Sequence, residues 1–102
     1  MATLQSAHFV DEDTLTVSST SVGLSGVFTA AQVAESDFAL VYVHSADIYY
    51  RLSGAAATAT TASHKKAQDS EFTLVGRYQI ENFRAIRAGG TDAALKVTLF
   101  KY

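Results

Sequence analysis

Apolar and polar residues alternate along most of the chain, and this alternation predicts short β-strands. The pattern is clearest over residues 93–102, where Leu95, Val97 and Leu99 alternate with smaller or more polar residues. Residues 37–45 are apolar on both faces, which favours a central strand covered on two sides. Further strands are predicted over residues 7–10, 14–18, 48–53, 71–76 and 82–87.

Three short connections carry turn signals. Residues 11–13 are acidic, residues 45–47 are small or polar, and residues 88–92 contain two glycines. Connections of this length and composition are typical of β-hairpins. We therefore expect each of the three to join two neighbouring antiparallel strands.

Two segments depart from the alternation. Residues 28–35 are the one helical candidate, because Thr29 can cap a turn of good helix formers. Residues 54–70 are rich in alanine and threonine, a composition that allows either a flexible excursion or a flat strand. We expect one short helical turn and one long loop.

Together these elements predict an all-β fold. Seven or eight short strands at this spacing indicate an antiparallel β-sandwich, jelly-roll or immunoglobulin-like, with at most one short helical turn. A length of 102 residues suits a single domain. Residues 1–6 are expected to form an extended N-terminal arm.

Composition excludes several classes of function. The chain has no cysteine, so thiolate chemistry, zinc–thiolate sites and disulfides are absent. A formal net charge of −2 does not favour nucleic-acid binding. The longest apolar run has six residues, at 38–43, and no signal peptide is evident, so we expect no membrane partner.

No catalytic constellation is complete. Gly23 and Ser25 suggest the nucleophile elbow of hydrolases, but Val27 stands where that motif requires glycine. Ser25 is better interpreted as a loop serine. The glycine pair in residues 88–92 lacks the lysine of a phosphate loop.

Metal binding is not indicated either. His8, His44 and His64 are far apart and lack the spacing of a ligand set. The acidic triplet at 11–13 lacks the glycine and distal glutamate of a calcium loop, so a solvated loop is the simpler interpretation. We expect no metal, no cofactor and no enzymatic activity.

Tyrosine and arginine supply the remaining candidates. Tyr49, Tyr78 and Tyr102 have polar neighbours and fall off the apolar alternation. Tyrosine beside arginine is the composition of protein–protein hot spots, and it also suits stacking on carbohydrate. Ordinary amphipathic surface tyrosines are an equally good interpretation.

Several segments resemble a group of small virion proteins of tailed phages. The resemblance covers most of the chain and lies in residues 15–18, 22–24, 48–54, 63–64, 71–74, 82–87 and 90–98. The sequence departs from the group where Ser53 and Ser63 replace the usual aspartate and glycine, and where alanine and threonine replace prolines of the middle loop. The resemblance implies a virion component without enzymatic activity.

Our first hypothesis is therefore a capsid decoration (cement) protein on the exterior of a phage head. Its partners would be the major capsid protein or other virion proteins and further copies of itself, with a trimer as the first expectation. The predicted contacts are residues 1–6 and 54–68, with Arg51, Arg84 and Arg87 facing acidic groups. The alternative is a tail or baseplate accessory protein, or an adhesin module that binds host glycan through Tyr49 and Tyr78.

Overall fold

The computed structural model describes residues 7–60 and 62–102, and its regular structure is mostly β. Two helices, α1 (Ala30–Glu35) and α2 (Gly76–Asn82), and one 3-10 turn, Leu24–Gly26, interrupt the strands. Neither helix is long or apolar enough to cross a membrane. The strands are β1 (His8–Val17), β2 (Val22–Gly23), β3 (Phe38–His44), β4 (Ile48–Arg51), β5 (His64–Lys66), β6 (Glu71–Val75), β7 (Arg84–Arg87) and β8 (Ala93–Lys101). The predicted all-β class is confirmed.

The strands form two antiparallel four-stranded sheets. Sheet A has the order β1-β8-β3-β6, and sheet B has the order β2-β7-β4-β5. The antiparallel pairs are nested along the chain, because β1 pairs with β8, β2 with β7, β3 with β6 and β4 with β5. Successive nested pairs lie in alternate sheets, so the chain changes sheet after almost every strand.

One hydrophobic core is shared by both sheets. On β8, Leu95, Val97 and Leu99 are fully buried, as their alternation predicts, and each such side chain contributes about 1.5–3 kcal/mol of burial free energy. Sheet B supplies the fully buried Ile48 and Ala85. Tyr50 of sheet B stacks on Phe72 of sheet A, with ring centroids 5.0 Å apart. Aromatic packing therefore links the two sheets directly.

The hairpin predicted at residues 11–13 is wrong, because these residues lie within a single strand, β1. The Asp11 carboxylate accepts hydrogen bonds from the Glu12 N–H (2.9 Å) and from Gln32 Nε2 (2.8 Å). Glu12 forms an ion pair with Lys96 of β8 (3.3 Å). β1 is an edge strand, where solvent and these partners satisfy the carboxylates, and charge there discourages pairing with another chain.

The other two predicted hairpins are also wrong, because both turns lead from one sheet to the other. Residues 45–47 connect β3 of sheet A to β4 of sheet B, and residues 88–92 connect β7 of sheet B to β8 of sheet A. The two turns contact each other, since the Ala88 N–H donates to the Asp47 carbonyl (3.0 Å). Buried residues flank each turn on both sides. The alternation of apolar and polar residues is therefore the same whether the turn joins two strands of one sheet or leads from one sheet to the other.

The helices correct one expectation and confirm another. Thr29 caps α1 in a reciprocal capping box with Gln32, at 3.1 and 2.9 Å, as its sequence position predicts. The limit of one helical turn is wrong, because α2 is a second helix. The residue before α2 is Val75, whose side chain cannot cap the helix. Gln79 Oε1, inside the helix, accepts the Val75 N–H instead (2.7 Å).

The alanine- and threonine-rich segment is anchored at two points. Ala57 is buried, and its N–H donates to Ser21 Oγ (2.9 Å). β5 occupies residues 64–66 inside the predicted loop 54–70 and pairs with β4. The flat-strand alternative therefore applies to part of this segment. The predicted N-terminal arm, residues 1–6, lies outside the described residues.

Candidate binding surfaces

Three of the five predicted interface residues lie on one surface. Ile48 and Ala85 face the core, so Tyr49 and Arg51 of β4 and Arg84 of β7 project from the opposite side of sheet B. Lys65 pairs with Tyr49 in the register and shares this side. We call Tyr49, Arg51, Lys65, Arg84 and Ile86 the cationic face.

Arg51 and Arg84 are direct cross-strand partners on the cationic face. Like charges placed opposite each other destabilise a sheet. Arg84 lies across Gly23, where a Cβ would come within 3.1 Å of its Cδ, and its Nη2 reaches the Ser21 carbonyl only at 3.5 Å. Its Nε is buried without a hydrogen-bond partner. The sheet therefore holds this arginine at a cost in stability.

Arg87 does not join this surface. It lies on the same side of β7 as the buried Ala85, and its Nη1 donates to Asp92 Oδ1 at 2.7 Å. This short ion pair, which is partly exposed, ties the end of β7 to the following turn. The charge of Arg87 is thus already matched within the chain.

Tyr78 lies on α2 and is 67% exposed. It faces a shallow depression of about 430 Å³ that it shares with Arg51, Ser53 and His64, and with Leu52 and Ala62. The structure therefore brings Tyr78 together with Arg51, while Tyr49 lies on the cationic face outside this depression.

Another depression, of about 650 Å³, lies between α1, α2 and the 3-10 turn. Its floor is formed by buried core residues, among them Phe28 and Ile80. The polar groups at its rim include Thr29, which caps α1, and Glu81, which pairs with Arg77 at 3.0 Å. Both make contacts within the chain, and the exposed Ser25 also lies at this rim.

A surface that the sequence analysis missed crosses the outer side of sheet A. Phe9, Phe100, Phe38 and Val75 are successive cross-strand partners on β1, β8, β3 and β6. Phe38 stacks on Phe100 (5.0 Å) and contacts the ring of Tyr102 (5.5 Å). We call these five residues the apolar band.

Three of the five side chains of the apolar band are largely exposed to solvent. Phe9 is 58% exposed, Val75 63% and Tyr102 67%. Isolated exposed apolar residues are common, whereas a contiguous patch marks an interaction site. The alternation indicates part of this band, because Phe38 and Phe100 are neighbours in sequence of the buried Ala39 and Leu99 and therefore lie on the opposite side of their strands. Only the strand register shows that they are neighbours of Phe9 and Val75.

Titratable side chains meet on the outer side of sheet A, where the Tyr42 ring lies 4.4 Å from the His44 ring and its phenol donates to Asp69 Oδ1 (3.4 Å). Within residues 7–60 and 62–102, no three His, Asp or Glu side chains are placed to hold a metal ion. Ser25 lies in the 3-10 turn. Partial burial raises the pKa of the Tyr42 phenol above its usual 10.0, and the nearby carboxylate of Asp69 adds to this shift.

Comparisons with family models, with curated proteins and with solved structures found no match for this chain. The surfaces described above are therefore the basis for assigning a function. They comprise an apolar band on sheet A, a cationic face on sheet B, and a polar depression beside α2.

Proposed function

We propose that the chain is a non-enzymatic structural protein that attaches to other protein subunits through the apolar band. The observation that carries this proposal is the cross-strand row of apolar side chains that spans all four strands of sheet A, with its two edge members exposed and Phe100 and Phe38 half-buried between them. Aromatic side chains bury a large apolar area when covered, and they are enriched in the centres of protein interfaces. Covering this row with a partner removes it from water.

The proposal includes the packing of the two sheets face to face as a β-sandwich of the jelly-roll type. The shared core supports face-to-face packing. The nested pairing, with successive pairs in alternate sheets, supports the jelly-roll connection over the immunoglobulin-like one. Jelly rolls serve in viral capsid and lectin domains, and this analogy of fold supports a role in attachment.

The specific setting we propose is the exterior of a tailed-phage head, where the chain would act as a capsid decoration protein. This setting comes from the resemblance of residues 48–54, 82–87 and 90–98 to small phage virion proteins. The partners would be the major capsid protein and further copies of the chain, with a trimer as the first model. Repeated copies on a lattice convert weak individual contacts into firm attachment.

The proposal is tested by cosedimentation of the purified chain with undecorated capsids assembled from tailed-phage major capsid proteins. We expect the unsubstituted chain to sediment with the capsids and to raise their disruption temperature. The variant Phe9→Glu places a charge in the apolar band and should remain in the supernatant.

A matched control is Thr16→Glu, which introduces the same charge on the same strand and the same outer side. Thr16 is exposed and pairs with Ala94, away from the band. This variant should bind like the unsubstituted chain. Failure of the unsubstituted chain to bind capsids would overturn the decoration role, and equal binding by Phe9→Glu would overturn the role of the band. Binding to isolated tails instead of capsids would favour a tail accessory protein.

A further inference from the structure

We propose that the depression bounded by Arg51, Ser53, His64 and Tyr78 binds an acidic saccharide, with a sugar carboxylate on Arg51 and the sugar ring against Tyr78. This inference does not rest on the apolar band. The depression lies at the C-terminal end of β4, beside α2. The two functions can therefore be tested separately.

The frame of the depression is held by contacts between the bend after β4 and the last turn of α2. The Gly54 N–H donates to the Asn82 carbonyl (3.1 Å), and Asn82 Nδ2 donates to the Tyr78 carbonyl (2.9 Å). Gly54 has φ +86°, and a Cβ at this position would lie 2.6 Å from Asn82 Oδ1. Only glycine allows this close approach, which fixes the bend after β4 against the last turn of α2.

His64 is positioned from the opposite side by the aromatic core. Its ring packs against Tyr50, with centroids 5.4 Å apart, and Tyr50 is stacked on Phe72. Strand pairing between Tyr50 and His64 fixes the backbone as well, and it places His64 on the Tyr50 side of sheet B, opposite to Arg51, so that the two line the depression only where β4 ends. Arg51, His64 and Tyr78 thus project from strands or a helix, which lowers the entropy cost of binding.

The charge of Arg51 is available to a ligand. Arg77 and Arg87 form ion pairs with Glu81 and Asp92, whereas no described carboxylate pairs with Arg51. Its cross-strand partner is Arg84, a second cation, which adds to the positive potential at this end of the sheet. A guanidinium presents two parallel N–H donors that match a carboxylate.

The remaining side chains favour a sugar over other carboxylate ligands. The Tyr78 ring is 67% exposed and offers a flat apolar surface for the C–H face of a pyranose. Ser53 and His64 supply hydroxyl and imidazole groups for sugar hydroxyls. A volume of about 430 Å³ lies within the range of small-ligand sites, and the open shape leaves room for a chain to continue on either side.

The test is a titration of the full chain with trigalacturonic acid, followed by calorimetry and by NMR shifts of backbone amides. We expect saturable binding, with the largest shifts at residues 51–54, 62–64 and 78. Methyl esterification of the carboxyl groups should abolish binding. Arg51→Gln should weaken binding about 10- to 100-fold, and Tyr78→Ala about 10-fold.

The matched control is Arg77→Gln, which removes the same charge from α2 next to Tyr78 but outside the depression. Its affinity should equal that of the unsubstituted chain. Absence of binding at millimolar saccharide, equal binding of the methyl ester, or equal binding by Arg51→Gln would each overturn the proposal. Tighter binding of a polyglutamate peptide than of the saccharide would assign the site to acidic peptides instead. None of these results bears on attachment through Phe9.

Discussion

The outer sides of the two sheets differ in chemistry, although both sheets contribute to one hydrophobic core. Sheet A presents the apolar band, whose exposed members carry no charge. Sheet B presents two cross-strand arginines and a lysine, one arginine having a buried, unpartnered Nε. Burial of the core fixes one side of each strand, and this leaves the other side free to specialise. This difference is why we propose different kinds of partner for the two sheets.

Salt should separate these two kinds of contact. Attraction between exposed charges is screened over about 8–10 Å at physiological ionic strength. Burial of apolar surface is not screened in this way. Contacts made through the apolar band are thus expected to persist at high salt, while contacts made through Arg51 weaken.

The largest expected effect comes from comparing two neighbours on β8. Leu99 is fully buried and faces the core, whereas Phe100 is half-buried and belongs to the apolar band. Leu99→Ala should lower the free energy of unfolding by about 2–5 kcal/mol, because it removes packed core atoms and leaves a cavity. Phe100→Ala should cost less, about 1.5–3 kcal/mol, because it removes a half-buried ring and its stacking on Phe38 but leaves no core cavity.

Urea denaturation of both variants, monitored by circular dichroism, measures this difference. A larger loss for Phe100→Ala than for Leu99→Ala would contradict the assignment of sides on sheet A. It would mean that the apolar band supports the fold and is not kept for a partner.

The sequence contained enough to predict which side of a strand is buried, but not which strands are neighbours. The alternation around Val97 and the capping position of Thr29 are local signals, and both predictions are confirmed. The outward positions of Tyr49, Arg51 and Arg84 follow from the same period of two.

Strand pairing depends on where each turn leads. The turns at residues 45–47 and 88–92 are short and polar, as hairpin turns are, yet each crosses between sheets. Every nested pair except β4–β5 joins strands separated by at least one other strand. The apolar band is assembled only by this non-local pairing, so no segment of the chain reveals it. The depression likewise depends on α2, whose capping signal lies four residues inside the helix.

An intermediate effect is expected at Gly54, where a change should damage the sheet B end without touching the apolar band. Gly54→Ala places a Cβ 2.6 Å from Asn82 Oδ1 at a positive φ. Strain of this kind costs about 1–3 kcal/mol. We expect the midpoint of urea unfolding to fall and the affinity for trigalacturonic acid to fall with it.

Gly89→Ala is the control, because a Cβ there has open space and its φ is not in the left-handed region. This variant should unfold within about 0.5 kcal/mol of the unsubstituted chain. Equal stability of the two glycine variants would show that the contact between Gly54 and Asn82 does not hold the depression in shape.

The smallest expected effect is at Arg84, and its sign is informative. Arg84→Met keeps a long side chain across Gly23 but removes a buried donor that lacks a partner and one member of a like-charge pair. Burying an unsatisfied polar group is unfavourable, so we expect the variant to be as stable as the unsubstituted chain or up to about 1 kcal/mol more stable.

Arg87→Met breaks the ion pair with Asp92 and should instead lose up to about 1 kcal/mol. Thermal unfolding of both variants at low ionic strength gives the comparison. A clear loss of stability in Arg84→Met would mean that this cation supports the fold of sheet B, and a gain would mean that the sheet keeps a destabilising charge for a negatively charged partner.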